Sequence, residues 1–104
     1  MSFSTYQYAR FCNALLTTSF VAVYTTPAST QAIVKTVVIA NFGGSAATVT
    51  IDMPGGTGFL QESIPGDTTL ILNCLVVLNT GEAITAEASA GATIYLTVSG
   101  QTGQ

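Results

Sequence analysis

The residues that could perform chemistry are few in this 104-residue sequence, and they are widely separated. There is no histidine, which excludes a Ser-His-Asp triad and any imidazole metal ligand. Cys12 and Cys74 are too far apart in the sequence to form the CxxC pair of a zinc site. We expect them to be free thiols packed as small hydrophobes, with a disulfide in an oxidising compartment as the alternative. Lys35 could act as a nucleophile, but a lysine that protects a strand edge is far commoner.

The carboxylates do not combine into a recognisable site either. They are Asp52, Glu62, Asp67, Glu82 and Glu87. None of them belongs to a DxDxDG-type calcium loop. The glycine-rich stretch 55–58 (GGTG) superficially resembles a phosphate-binding loop, but neither a lysine nor a helical pattern follows it. We therefore predict that the protein is not an enzyme and that it holds no metal ion or cofactor.

The balance of charge limits the partners. Only Arg10 and Lys35 are basic, and the net charge is −3. A protein that binds a nucleic-acid backbone needs several cations to displace counterions, so we expect no nucleic-acid partner. Charged residues make up 7% of the chain and hydrophobic residues 48%, and a low net charge favours association. We interpret this balance as typical of a surface that is covered by something.

No segment is predicted to enter a membrane. The longest apolar run covers residues 70–78, whereas a membrane-spanning helix needs about 20 apolar residues. Residues 10–24 place one positive charge before an apolar patch, but polar residues such as Asn13 and Ser19 interrupt that patch. We therefore expect no cleaved signal peptide.

The elements that must position these residues are predicted to be β-strands. Gly, Pro and Asn clusters recur at intervals of roughly 10 to 14 residues, close to the spacing of a sandwich or barrel. The β-branched runs between them are assigned to strands at about 20–24, 32–40, 46–52, 58–63, 68–72, 75–78, 83–88 and 92–99. Several runs alternate apolar and polar residues, and none has a helical period with caps. The sequence predicts an all-β fold, an antiparallel and jelly-roll-like β-sandwich of about eight strands.

The first 18 residues differ from the rest and are predicted to form an irregular N-terminal arm (1–18), followed by a β-sandwich domain (19–104). Four aromatic residues cluster in this polar segment without a regular period: Phe3, Tyr6, Tyr8 and Phe11. Each has a large area to bury, so the four either pack on their own domain or dock on a neighbouring subunit. We favour docking on a neighbour and treat them as interface candidates.

Two segments, 33–40 and 69–78, are apolar on both faces of the predicted strand. Either a partner subunit covers the second face, or a loop or the terminal arm lies over it. Val37 and Ile39 are the core residues that we expect nearest to a subunit interface. Phe42 lies at the tip of a predicted turn, where it is exposed unless a partner covers it, and it is a further interface candidate.

A set of short motifs extends over most of the chain. They are Tyr24–Ala28 (YTTPA), Ala32–Asn41 (AIVKTVVIAN), Ser45–Thr50 (SAATVT), Ile64–Leu70 (IPGDTTL) and Leu78–Glu82 (LNTGE). Together they resemble the small β-sandwich virion proteins of tailed bacteriophages, over about residues 24–99. The stretch Ala28-Ser29-Thr30 departs from the Ala-Gly that is usual in that pattern.

The resemblance implies a non-enzymatic structural protein of the virion, most simply a capsid decoration (cement) protein. Such a protein would form a homotrimer, contact the major capsid protein and stabilise the phage head through intersubunit contacts. Its expected location is the capsid surface, after assembly in the host cytoplasm. The alternative is a tail, neck or fibre component, including a receptor- or carbohydrate-binding module. A carbohydrate partner is less expected because the chain has no tryptophan, although Phe59 and Tyr95 remain candidate platforms.

Overall fold

Eight β-strands build the fold in the computed structural model, which describes residues 6–53, 58–89 and 93–103, apart from the side chains of residues 6, 58 and 59. They are β1 (Tyr6–Leu15), β2 (Val21–Thr25), β3 (Gln31–Asn41), β4 (Ala47–Asp52), β5 (Gly58–Ile64), β6 (Thr68–Leu78), β7 (Ala83–Ala88) and β8 (Ile94–Gly103). Within the described ranges there is no helix that could cross a membrane.

The strands form two antiparallel sheets of four strands each. Sheet A has the order β1-β8-β3-β6, and sheet B has the order β2-β7-β4-β5. Apart from the β4–β5 hairpin, successive strands alternate between the two sheets, which is the connectivity of a jelly roll. The predicted all-β, jelly-roll-like sandwich of about eight strands is therefore confirmed.

The core lies between the two sheets and is aliphatic. Because side chains alternate along a strand, one face of each central strand points inward. In sheet A, Val37 pairs with Val98 and Ile39 pairs with Leu96, and all four side chains are fully buried. Sheet B contributes Val49, Ile51, Ile84 and Ala86 from the opposite side. The outer faces of both sheets are thus supported by one packed layer.

Asn41 is a buried polar residue that fixes the end of β3. Its side-chain Nδ2 donates to the carbonyl oxygens of Ser45 and Ile64, both at 3.0 Å, and its Oδ1 accepts from the backbone N–H of Gly43 at 2.9 Å. The amide is fully engaged, as a buried polar group requires. This network holds the turn that presents Phe42.

Sheet A contains a row of irregularities at the level of Gly100. Lys35 is an extra residue of β3 relative to β8, and Phe11 is an extra residue of β1 relative to β8. A Cβ on residue 100 would collide with the carbonyl oxygen of Ile33. Only glycine therefore allows the β3 backbone to approach β8 this closely at the bulge.

Three predicted boundaries are wrong, and one of them is the end of β8, which lies at Gly103 and not at residue 99. Residues 6–15 form β1, a strand paired with β8, instead of belonging to an irregular arm that continues to residue 18. The extra residue Phe11 interrupts the period of two and hides this strand in the sequence. The segment 68–78 is one strand and not two, because Asn73 continues the ladder by pairing with Thr36.

Candidate interaction surface

Most of the exposed large apolar side chains in the described part lie on the outer face of sheet A. Pairing and alternation place on this face Leu15, Val38, Phe42, Ile71, Leu75, Val77 and Tyr95, which we call the apolar face. Its rows cross the sheet, since Leu15 pairs with Tyr95 and Val38 pairs with Ile71. Exposed apolar area of this kind on a small domain marks a site of interaction.

The most exposed part of the apolar face is on β6. Leu75 is 72% exposed, and Ile71 is more than half exposed on the same side of the strand. No segment among residues 6–53, 58–89 and 93–103 covers these side chains. Within those ranges, the alternative of a loop that lies over the second apolar side of this segment is therefore wrong.

Phe42 forms the other end of the apolar face. It follows β3 at the turn held by Asn41, and its side chain is 65% exposed. Its ring meets Tyr95 edge-on, with centroids 5.4 Å apart and an interplanar angle of 72°. Aromatic pairs favour this geometry, so the exposed Phe42 ring is oriented by Tyr95.

The charges are segregated between the two sheets. The strands of sheet A contain Arg10 and Lys35, both exposed, and no carboxylate. The strands of sheet B contain Asp52, Glu62 and Glu87 and no basic residue. The strands that carry the apolar face therefore hold both basic residues, and the strands of sheet B hold three of the five carboxylates, while Asp67 and Glu82 lie in turns.

A shallow groove lies on the outer side of each sheet among the described residues. The groove of sheet A, about 400 Å³, follows the bulge and is lined by Tyr8, Ala9, Lys35, Thr36, Ser99 and Gly100. The groove of sheet B, about 350 Å³, is lined by Thr18, Thr48, Thr50, Gln61, Glu87, Ala88 and Ser89. Across the described residues, no three of the potential metal-ligating side chains come together.

The predicted interface residues fall into different places. Val37 and Ile39 are fully buried; their placement near a subunit interface is wrong because they occupy the inward side of β3. Phe11 is half-buried and stacks on Tyr24, with ring centroids 5.0 Å apart. Tyr8 is 84% exposed beside the groove of sheet A.

Two further interface candidates concern the start of the chain. Phe3 lies outside the described residues. Tyr6 is the first residue of β1, and its side chain is not described. Sequence reasoning had not named the β6 residues Ile71, Leu75 and Val77, although the doubly apolar pattern of 69–78 was their signal.

The two cysteines lie on opposite edges of sheet A. Cys12 is on β1 and Cys74 is on β6, and both are free thiols directed toward the half-buried inner side. Three strand spacings amount to about 14 Å, whereas a disulfide needs Cα atoms within about 7 Å. A bridge within one chain is therefore excluded. Burial raises the pKa of both thiols, and a hydrogen bond with the Val98 backbone partly opposes this at Cys12.

Comparisons with known proteins relate the chain to others by fold. No protein-family model and no curated protein sequence matches it. The Drosophila NLP core, described for pentamer formation and histone binding, superposes with a TM-score of 0.54 at 13% identity, covering 90% of this chain and 98% of that one. A protein of Bacillus endospore appendages, described as disulfide-linked pili, gives a TM-score of 0.57 at 12% identity, covering 96% of this chain and 88% of that one. At these identities, the likeness concerns the fold alone.

Proposed function

We propose that this chain is a non-enzymatic structural subunit that docks on a larger protein particle through the apolar face of sheet A. The observation that carries the proposal is the exposure of that face on a sheet whose strands contain no carboxylate. A water-exposed array of Phe42, Ile71 and Leu75 is costly for a monomer and favourable for a subunit that is covered by another chain.

The particle that we propose is the head of a tailed bacteriophage, with the chain acting as a capsid decoration protein. The resemblance of the sequence motifs between residues 24 and 99 to phage virion proteins supports this location. The proposed partners are further copies of the chain, as a homotrimer, and the major capsid protein, with the apolar face toward the shell and the acidic sheet B toward solvent. The two structures of similar fold are described as a pentamer-forming core and as pili, so this fold also serves as an assembling subunit elsewhere.

The energy scale fits a reinforcing role. Burying about 1,000 Å² of surface at about 25 cal/mol per Å² of apolar area gives a gross gain of tens of kcal/mol before the costs of ordering. Many copies on one shell act together, so even a modest net affinity for each copy stabilises the whole.

A receptor- or carbohydrate-binding module on a tail or fibre is the second candidate. The groove of sheet B supports it, because hydroxyl groups, the Gln61 amide and the Glu87 carboxylate can hydrogen-bond to sugar hydroxyls. None of the described lining residues is aromatic, so the stacking platform typical of sugar sites has no counterpart in this groove. Binding of the purified chain to a glycan array at micromolar affinity would favour this candidate.

The test is to locate the chain on virus particles released from cells that encode it, by gold-labelled antibody and electron microscopy. We expect label over the head surface, and the particle-bound fraction should fall for Phe42→Ser. Phe20→Ser is the control, because Phe20 is also exposed but lies outside sheet A. Label confined to the tail would replace decoration by the tail alternative, and particles without label would overturn the proposal.

A further inference from the structure

Among the described residues, the two outer edges of sheet A carry closely similar short sequences in opposite directions. β1 and β6 are its outermost strands. Residues 12–18, the end of β1 and the three residues after it, read CNALLTT, and residues 74 to 68 of β6, taken backwards, read CNLILTT. Because the two edges are about 14 Å apart in one molecule, these segments have no opportunity to pair with each other within a chain.

The direction of the strands makes a pairing between two copies natural. β1 is antiparallel to β8, β8 to β3, and β3 to β6, so β6 and β1 run in opposite directions. A second copy placed beside β6 in the same orientation therefore presents its β1 antiparallel to β6. The inner faces of the two sheets then lie on the same side, as a continued ladder requires.

In this register, each residue meets one of the same or a similar type. Within β1 the pairs are Cys12–Cys74, Asn13–Asn73, Ala14–Leu72 and Leu15–Ile71, and Leu16 follows opposite Leu70. The correspondence ends there, because Thr17 leaves sheet A and its carbonyl oxygen accepts from the backbone N–H of Ala88 in β7. The faces agree as well, since Asn13, Leu15, Ile71 and Asn73 are exposed on the outer face. Cys12, Ala14, Leu70, Leu72 and Cys74 are half-buried on the inner face, where a further strand would complete their burial. A slip by one residue would destroy this agreement on both faces.

Neither edge carries the protection that natural sheets use against such contact. β6 has eleven residues and no charge, and β1 has ten residues with Arg10 as its only charge. Edge strands are normally short, charged or covered. Within the paired segment, the Oδ1 of Asn13 accepts a hydrogen bond from the Thr97 hydroxyl at 3.2 Å, so the NH₂ group of Asn13 remains available to Asn73 of the next copy.

We propose that copies of this chain assemble head to tail by pairing β1 of one copy with β6 of the next, in the register that sets Cys12 opposite Cys74. Within one sheet, Cys12 is level with Leu72 through Val98 and Val37. Successive copies are therefore staggered by two residues, about 7 Å, along the strands. The contact uses two different surfaces, so it generates either a closed ring or an open chain. This pairing deepens the proposed structural role and specifies the contact between copies.

Cysteine cross-linking of the purified full-length chain tests the pairing. With copper–phenanthroline and dioxygen, each S–S bond forms as two S–H bonds break, and two electrons and two protons pass to dioxygen to give hydrogen peroxide. We expect reducible dimers and larger species whose digest contains a peptide joining Cys12 to Cys74. Cys12→Ser alone and Cys74→Ser alone should give no cross-link. An equal mixture of the two variants should stop at the dimer, since only one junction is then complete.

Two results of the cross-linking experiment would overturn the proposed pairing. Cross-linked dimers of Cys12→Ser alone or of Cys74→Ser alone would reveal pairing of like edges and overturn the proposal. A wild-type chain that yields no cross-link at millimolar concentration would overturn it too. The cross-linking experiment contains no virus particle. A negative cross-linking result therefore does not bear on the proposed particle docking, and a negative labelling result does not bear on the edge pairing.

Introducing charges at the Asn13–Asn73 pair provides a second test of the register. Asn13→Lys combined with Asn73→Lys sets like charges opposite each other, and we expect the cross-linked fraction to fall about fivefold. Asn13→Lys combined with Asn73→Glu should restore it to within about twofold of wild type, because opposite charges then face each other across the pair. Equal loss in both double variants would contradict the register.

Discussion

Replacing Leu75 by serine should leave the fold nearly intact and weaken association. Full burial of a leucine side chain is worth about 1.5–3 kcal/mol. Since Leu75 is 72% exposed in the isolated chain, most of that free energy is unrealised until a partner covers it. We therefore expect Leu75→Ser to lower the free energy of unfolding by less than about 1 kcal/mol. Its cost to an association that covers Leu75 should be about 1–2 kcal/mol, or roughly 5- to 30-fold in the dissociation constant.

Urea unfolding measures the first quantity, and cosedimentation of the chain with virus particles over a concentration series measures the second. A matched pair controls for the loss of an exposed aliphatic group. Val77 is 46% exposed on the apolar face, and Val21 is 47% exposed on β2 in sheet B. Val77→Ser should weaken association, and Val21→Ser should not. A loss of more than about 2 kcal/mol in unfolding free energy for Leu75→Ser, or an unchanged association constant, would refute the reasoning.

Three further predictions concern the isolated fold. Asn41→Ala removes three hydrogen bonds and leaves the buried carbonyl oxygen of Ile64 without this partner, so urea unfolding should show a loss of about 3 kcal/mol. Gly100→Ala should cost about 3 kcal/mol by the same assay because its Cβ meets a backbone oxygen, whereas Gly44→Ala, which meets nothing within 4 Å, should be neutral. Burial raises the thiol pKa of Cys12 and Cys74 above the usual 9.0, so the folded state disfavours the thiolate. The contribution of the two thiols to stability should be constant below pH 9 and be lost as the pH rises through the folded pKa. Urea unfolding across that range should show a smaller fall for the double Cys→Ser variant.

The period of two was enough to predict most strands from the sequence. β2, β3, β4, β5, β7 and β8 were located because turn residues separate their alternating or β-branched runs. β1 was missed because the bulge sets Phe11 and Cys12 side by side on the half-buried side, which breaks the alternation. β6 was divided at Asn73 because asparagine is typical of turns, although here it is an outward-facing residue of an unbroken strand.

The interaction surface was predictable in kind but not in residues. A strand that is apolar on both sides signals that both sides are covered, yet it does not reveal which side faces the core. Val37 and Ile39 were selected in place of Val38 for this reason, since a shift of one residue exchanges the two faces. The opposite edges occupied by Cys12 and Cys74 follow from strand order, and strand order depends on long-range pairing that no local pattern encodes.

The outer face and the edges of sheet A can act together on a curved particle. A copy held only by its face contributes a contact whose net affinity is modest, because ordering costs offset much of the gross burial. Once β6 pairs with β1 of a neighbouring copy, that neighbour is held near its own docking site at a high effective concentration. Occupancy should then rise more steeply with protein concentration than independent binding allows. If the wild-type chain saturates particles along a simple hyperbola, and the Asn13→Lys, Asn73→Lys variant does the same with an equal midpoint, edge pairing contributes nothing to docking.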